Sequence, residues 1–214
     1  MDFASKTRAG RAVLNWSREE LAEQSGLSVP GISNIEKGQS ATARSQNKIL
    51  RCFQKEGVSF TDKGVEQVEN PIFFVEGKTH EETYLQLLEE VLGHLKGKKS
   101  QELLIMYSDD SVSPPAVNDM YRKIRKNGIK MRQLIAEGNT HIIGPLEDYR
   151  YIPKQYFINR VTLVYGDRIA NETSNVLRAS VRVDPINAEI QQNTFNMLWS
   201  ILEQPTETTS DERF

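Results

Sequence analysis

The sequence predicts a two-domain α+β chain. An N-terminal all-α domain of five helices occupies residues 1–60, and a C-terminal α/β domain with a central mixed sheet occupies residues 72–204. Two observations predict this. Residues 16–38, WSREELAEQSGLSVPGISNIEKG, spell two short helices joined by a tight glycine turn. After Pro71, short apolar runs alternate with stretches of helical periodicity, the pattern of a sheet covered by helices.

In the head, the first helix is expected from about Asp2 to Asn15, with Ala9, Ala12, Val13 and Leu14 on its inner side. Ser17 and Glu20 form an S-x-x-E capping box that opens the second helix, and each side chain satisfies an orphaned backbone N–H. Gly26 supplies the left-handed residue that ends it. Ser28 caps the third helix, and Pro30 falls in the first turn, where no intrahelical hydrogen bond is lost. Ile32 and Ile35 share one face and anchor this helix inward. Glu36-Lys37-Gly38 ends it. A last helix near Ser45–Glu56 carries the apolar Ile49, Leu50 and Phe53, with the single Cys52 expected as a core thiol. One cysteine excludes an internal disulfide and a cysteine-rich zinc site. Val58 and Phe60 are a short extended exit.

Residues 61–71 are polar, contain Asp62-Lys63-Gly64, stop at Pro71 and are expected to be a linker. In the body, strands are expected at Ile72–Val75, Leu103–Tyr107, Ile129–Ala136, Tyr149–Ile152, Val161–Tyr165, Arg168–Ala170 and Val176–Val183. A capping box, Thr79-x-x-Glu82, starts a helix with Tyr84, Leu88, Val91 and Leu95 in register. Pro114-Pro115 opens a second helix that Gly128 stops. Asp184-Pro185 opens a third, carrying Ile190, Phe195, Leu198, Trp199, Ile201 and Leu202. Residues 205–214 read as a flexible polar tail.

A helix pair of this length is how a small domain places one helix in the major groove of DNA. The charge agrees. Residues 1–57 carry nine Lys/Arg against six Asp/Glu, a net of +3, while the remainder carries 18 against 23, a net of −5. A mildly basic head on an acidic body suits a specific binder whose body is not a DNA surface. At these residues the chain resembles the Cro/cI-type (XRE) helix-turn-helix regulators over roughly residues 6–60, with Leu21-Ala22, Gly26, Ile32 and Glu36-x-Gly38 at the family's spacing. The resemblance implies that Arg18 touches a phosphate. It also implies that Ser28, Val29, Pro30, Ser33 and Asn34 face the major groove, with Lys37 completing the DNA-binding set. Arg44, in the loop after the recognition helix, is placed near the backbone or minor groove. Val29, Pro30 and Gly31 stand where polar base-reading side chains are common. Asn34 can still pair with adenine, and Val29 can meet a thymine methyl. Shape readout is then expected to supply part of the specificity.

The run YRKIRKNGIKMRQLI, with VTLVYGDRIA and the helix ending FNMLW, resembles the phospholipase-D-like domains, which also occur without catalysis in transcription regulators, including sugar-responsive ones. Enzymes of that family need H-x-K-x4-D, with histidine as nucleophile. His94-Leu95-Lys96 matches the first half, but Gln101 stands at the aspartate position. Neither His80 nor His141 has a lysine two residues on. The body is therefore expected to be non-catalytic, with His80 and His94 on the surface. Asp109-Asp110, at the end of a strand, fit a helix-capping loop better than a metal or sugar-hydroxyl site. No Gly-rich Walker-type loop is present. Arg122-Lys123-x-Arg125-Lys126 is expected to be a solvated helix face, with a second DNA-backbone contact as the alternative.

The sequence thus points to a DNA-binding transcription regulator with no enzymatic activity, metal or cofactor. It is expected to repress, autoregulation included, from an inverted-repeat operator in double-stranded DNA. A homodimer is expected through Phe195, Leu198, Trp199 and Leu202, because an apolar arc that wide marks an interface or deep burial. A small-molecule effector or a protein partner would act on the body. The alternatives are an antitoxin or adaptor that grips a protein, and a DNA-targeted phosphodiesterase. No secretory signal or bilayer-spanning apolar run is present, so a cytoplasmic, nucleoid-associated, bacterial protein is expected.

Overall fold

The computed structural model describes residues 1–69, 71–98 and 102–211 and contains two compact units, Met1–Phe73 and Phe74–Phe214. Gln101, the last three tail residues and Asn70 of the expected linker lie outside the described residues.

The first unit packs α1 (Phe3–Val13), α2 (Arg18–Ser25), α3 (Val29–Glu36) and α4 (Ala43–Lys55) against a short hairpin of β1 (Val58–Phe60) and β2 (Val65–Gln67). Four helices, not five, form this unit among its described residues. The polar segment after Phe60 turns back through Asp62-Lys63-Gly64 and pairs β2 antiparallel with β1, Val58 opposite Gln67. Its alternation is too short to read as a strand alone. The cluster of Leu21, Ala22, Ile32, Ile35, Ile49, Cys52, Phe53 and Val58 is the core. Phe53 is central: it stacks on Trp16 with centroids 6.2 Å apart and tilts against Phe60 at 5.4 Å.

The inner face of α1 differs from the expected one. Ala4, Thr7 and Gly10 are buried, whereas Ala12 is exposed and Val13 is 41 % exposed. The small size of Gly10 decides this, because a Cβ there would lie 3.1 Å from the Phe53 ring. Small residues outside the apolar set admit the large ring, so the helix turns its small side inward.

The second unit is built on a seven-stranded sheet of order β3-β9-β8-β7-β4-β5-β6. The strands are β3 (Ile72–Glu76), β4 (Glu102–Ser108), β5 (Lys130–Ala136), β6 (Tyr149–Ile152), β7 (Thr162–Tyr165), β8 (Arg168–Glu172) and β9 (Arg178–Val183). β4-β5-β6 run parallel, and β4-β7-β8-β9 run antiparallel, so the sheet is mixed as expected. Among the described residues, three α-helices cover it: α5 (His80–Leu95), α6 (Pro115–Lys126) and α7 (Pro185–Ile201). Side chains alternate across the pleat. Leu104, Met106, Leu134 and Val164 face Ala188 and Phe195 of α7. On the other face, His94 of α5 meets Tyr165 edge-on.

Gly166-Asp167 closes the β7–β8 hairpin in two residues. Gly166 sits at φ +57°, and a Cβ there would lie 2.7 Å from His94 Nε2, so glycine is required twice over.

Residues 203–210 are not a free tail. Tyr151 N–H on the sheet edge donates to the Glu203 carbonyl at 2.9 Å, and Thr209 N–H donates to the Thr140 carbonyl at 2.8 Å. Thr208 Oγ1 accepts from Ile142 N–H and donates to the Ile142 carbonyl. A polar composition hid one backbone bond to the β6 edge and the backbone and hydroxyl bonds to the loop after β5.

His94 is buried rather than on the surface, with its side chain 9 % exposed and Nε2 3.0 Å from Asp167 Oδ1. Burial, aided by the charges of Arg168 and Lys98 and opposed by Asp167, lowers its pKa from 6.5 to about 4. The ring is therefore neutral in the folded chain at pH 7, and the unfolded chain takes up the proton first. Stability should be fully present above pH 6.5 and fall as pH drops toward 4, by about 2 kcal/mol after allowance for solvent screening. Urea melts from pH 7 to 4 check this. His94→Gln should flatten that part of the profile.

Candidate nucleic-acid interface and a cavity in the body

In the head, helix caps set the angle of the helix pair. Ser17 Oγ accepts from Glu20 N–H at 3.1 Å and the Glu20 carboxylate accepts from Ser17 N–H at 2.6 Å, so both halves of the capping box form. Gly26 turns at φ +61° with its N–H returned to the Ala22 and Glu23 carbonyls. Ser28 Oγ then caps α3 through Gly31 N–H.

Ile32 and Ile35 go into the core, so α3 presents its other face outward. Ser28, Pro30, Asn34 and Lys37 are exposed, and Val29 and Ser33 are half-buried. Val29 also packs against the head core, which leaves only part of its side chain for a thymine methyl. Arg44 is exposed, but on the first turn of α4 rather than in a loop. Thr42 caps that helix by accepting from Ser45 N–H, so the helix begins earlier than hydropathy alone indicates.

Glu36 organises the site, and sequence reasoning missed it. Its side chain is 1 % exposed. Arg11 Nε donates to Oε1 at 2.8 Å and Arg18 Nε donates to Oε2 at 2.6 Å. Arg8 donates to the Glu36 carbonyl, and Arg11 Nη1 reaches the Trp16 carbonyl at 2.6 Å. Burial alone would raise the Glu36 pKa. The hydrogen bonds and charges of Arg11 and Arg18 outweigh it, and the carboxyl is held below its usual range. The arginines come from α1 and α2 and the acid from α3, so one ion cluster fixes three helices. The available signal was a glutamate at a helix end with arginines 18 and 25 residues upstream. Arg18 keeps 44 % of its side chain exposed, so it can reach a phosphate while Glu36 holds its Nε.

The body holds a cavity of about 150 Å³ at the end of β4, lined by His80, Tyr84, Ser108, Asp109, Tyr121, Arg160 and Glu172 among others. β4 changes register against β5 between Met106 and Ser108, and Tyr107 stands at φ +63°. This bulge turns Ser108 and Asp109 toward the cavity. His80 Nε2 lies 2.5 Å from Glu172 Oε1. The Tyr84 and Tyr121 hydroxyls share a buried bond of 2.6 Å. Behind them, Ser108 donates to Gln133, Gln133 to Tyr149, and Tyr149 to Asp110, in a buried chain of 2.9–3.0 Å bonds.

Asp109 plays the expected capping role, accepting from Ser111 N–H at 3.0 Å. No group of three or more His, Cys, Asp or Glu placed to hold a metal ion occurs among the described residues. Lys123 and Lys126 form a solvated helix face, whereas Arg125 turns inward to Asp148 at 2.7 Å.

The residues expected to dimerise do not form a surface. Phe195 is fully buried in the body core, and Leu198, Trp199 and Leu202 pack on the same cluster. Trp199 stacks on Phe195 at 5.4 Å, with the guanidinium groups of Arg132 and Arg150 over its ring at 5.0 and 4.4 Å. The broad apolar arc of α7 reflects burial on one side and an exposed stripe on the other.

Capping box, glycine turn and inward isoleucines define the head as a helix-turn-helix domain, a DNA-binding class. Residues 8–55 match the family model described as Helix-turn-helix, in agreement with the XRE-type resemblance. No curated relative matches the chain. Among solved structures, the chain is similar to Nuc, a phospholipase D family member from Salmonella typhimurium. That match has 11 % identity and a TM-score of 0.45, covering 64 % of this chain and 99 % of that one. NucT from Helicobacter pylori matches at 9 % identity and 0.45, covering 64 % and 100 %. TrmBL2, an archaeal chromatin protein, matches at 14 % and 0.42, covering 64 % of this chain and 54 % of its own. No helix among the described residues is long and apolar enough to cross a membrane.

Proposed function

We propose that the chain is a sequence-specific transcription regulator, a repressor that binds an inverted-repeat operator as a homodimer and includes its own gene among its targets. The observation that carries this is the outward face of α3, held in place by the Glu36 cluster, with the half-exposed Arg18 bonded to Glu36 and Arg44 exposed on the first turn of α4. Arg18, Lys37 and Arg44 supply phosphate contacts, and Asn34 reads a base. The body is non-catalytic and serves dimerisation. Its cavity takes a small polar effector, since hydroxyl, imidazole, guanidinium and carboxylate groups all border it. A cytoplasmic, nucleoid-associated location follows from this role.

Asn34→Ala should weaken operator binding by about 1–3 kcal/mol and relax preference at one base pair. Fluorescence anisotropy on a set of single-base operator variants checks this. A uniform loss across all variants would remove Asn34 from base reading.

One observation favours a second reading. His80 is held by Glu172 beside the cavity, the arrangement of an oriented general base. Turnover of a generic phosphodiester that disappears in His80→Ala would establish an enzyme.

A further inference from the structure

The outer face of α7 carries Ile186, Ile190, Met197 and Ile201, which are 72 %, 51 %, 60 % and 71 % exposed. At 100° per residue they fall within an arc of about 60°, opposite Phe195, and extend over about 22 Å. They form an unpartnered apolar stripe, divided at its middle by Asn193 and Thr194, on a helix whose other side is already in the core.

Three features identify its occupant. The first is spacing. The steps along the stripe are four, seven and four residues, so it is palindromic about the midpoint between Asn193 and Thr194. A second copy laid antiparallel across a two-fold axis there sets Ile186 against Ile201 and Ile190 against Met197, twice each. This is the self-complementarity that an isologous interface requires. A parallel pairing, or an unrelated partner, places no such demand on the spacing.

The second is charge. Glu189 is the only charged residue of α7, in a chain in which 26 % of residues are charged. Depletion of charge is the compositional mark of an interface centre, and it leaves little like-charge repulsion between two identical helices. The third is Asn193, exposed at the midpoint of the stripe. Thr194, on the other side of the midpoint, spends its hydroxyl on the Ile190 carbonyl, which leaves Asn193 as the free polar side chain that can fix register at the centre of the seam.

We infer that α7 forms an antiparallel two-fold helix pair with α7 of a second copy of this chain. The inference rests on the dimer reading above and replaces the residues first assigned to it.

Sedimentation of the full chain at tens of micromolar should give about twice the 24.4 kDa monomer mass. Ile190→Glu and Met197→Glu should each raise the self-association Kd at least tenfold. Both positions are exposed, so thermal unfolding of the variant monomers should be unchanged.

Cross-linking tests the direction. Under mild oxidation, Asn193→Cys should form a disulfide-linked dimer with itself. Ile186→Cys should not link to itself but should link to Ile201→Cys on a second chain. The native Cys52 does not interfere, because it is buried and its thiol is pushed up to about 12.

A monomeric wild type, a dimer that survives both glutamates, or self-linking of Ile186→Cys would overturn the inference. A dimer that binds no DNA would sink the regulator reading and leave this one standing. A monomer that still protects an operator would overturn this inference and the dimeric part of the regulator reading, and leave only DNA recognition by α3 standing.

Discussion

Glu36→Ala should unfold the head at a denaturant concentration well below that of the wild type, with a loss of about 3–5 kcal/mol. The carboxylate is the shared acceptor of Arg11 and Arg18, and its side chain is 1 % exposed. Removing it leaves Arg11, only 21 % exposed, facing a buried gap without its counter-charge. Arg18 can swing into water, so the loss should lie toward the lower end of that range. Glu36→Gln should lose less, because the amide oxygen still accepts one hydrogen bond.

The readout is Trp16, which stacks on Phe53 in the head core. Trp199→Phe removes the other tryptophan's signal. The pH dependence has a definite sign. The folded-state pKa of Glu36 is depressed, so its contribution is complete above the unfolded value near 4.5 and is lost as pH falls through the lower folded value. Operator affinity should fall with stability, since Arg18 loses the bond that fixes its Nε.

Phe195→Ala should destabilise the body by about 3–5 kcal/mol without abolishing the dimer. The ring is fully buried among Leu104, Met106, Leu134, Val164 and Ile169, stacked on Trp199 and capped by the Arg132 guanidinium at 5.0 Å. Truncation leaves a cavity that a sheet on one side and a helix on the other cannot close. Differential scanning calorimetry should show a lowered body transition. Sedimentation at a temperature where the variant is folded should still show the dimer. Ile190→Glu should behave in the opposite way, losing the dimer while keeping its melting temperature. The pair of variants separates the two sides of one helix, which composition alone cannot do.

The sequence made the helix pair legible because its signals are local. A capping box, a glycine turn and a proline in a first turn each act within four residues. The body strands were legible for a similar reason: runs such as Leu103–Tyr107 and Val161–Tyr165 are apolar and bounded by turn residues. What escaped depends on distant partners. Glu36 looked like a helix-ending polar residue until α1 brought Arg11 to it. His94 looked exposed until the β7–β8 hairpin closed over it through Gly166. The inner side of α1 was misassigned because Gly10 has no hydropathy to announce that a phenyl ring lies against it. Residues 203–210 looked loose because bonds to a sheet edge and to a distant loop leave no mark on composition. The α7 helix shows the same limit most clearly: its apolar residues serve two faces, and only the exposed set, Ile186, Ile190, Met197 and Ile201, has the symmetry of an interface.

The central claim is that the outer face of α3 reads DNA, two copies at a time. Footprinting of the full chain on the DNA upstream of its own gene, at moderate salt, tests it most directly. The expected result is protection of an inverted repeat whose half-sites are centred about one helical turn, ~10 bp, apart, with weaker protection by Asn34→Ala. Uniform protection without sequence preference, or none at concentrations where the chain is dimeric, would contradict it.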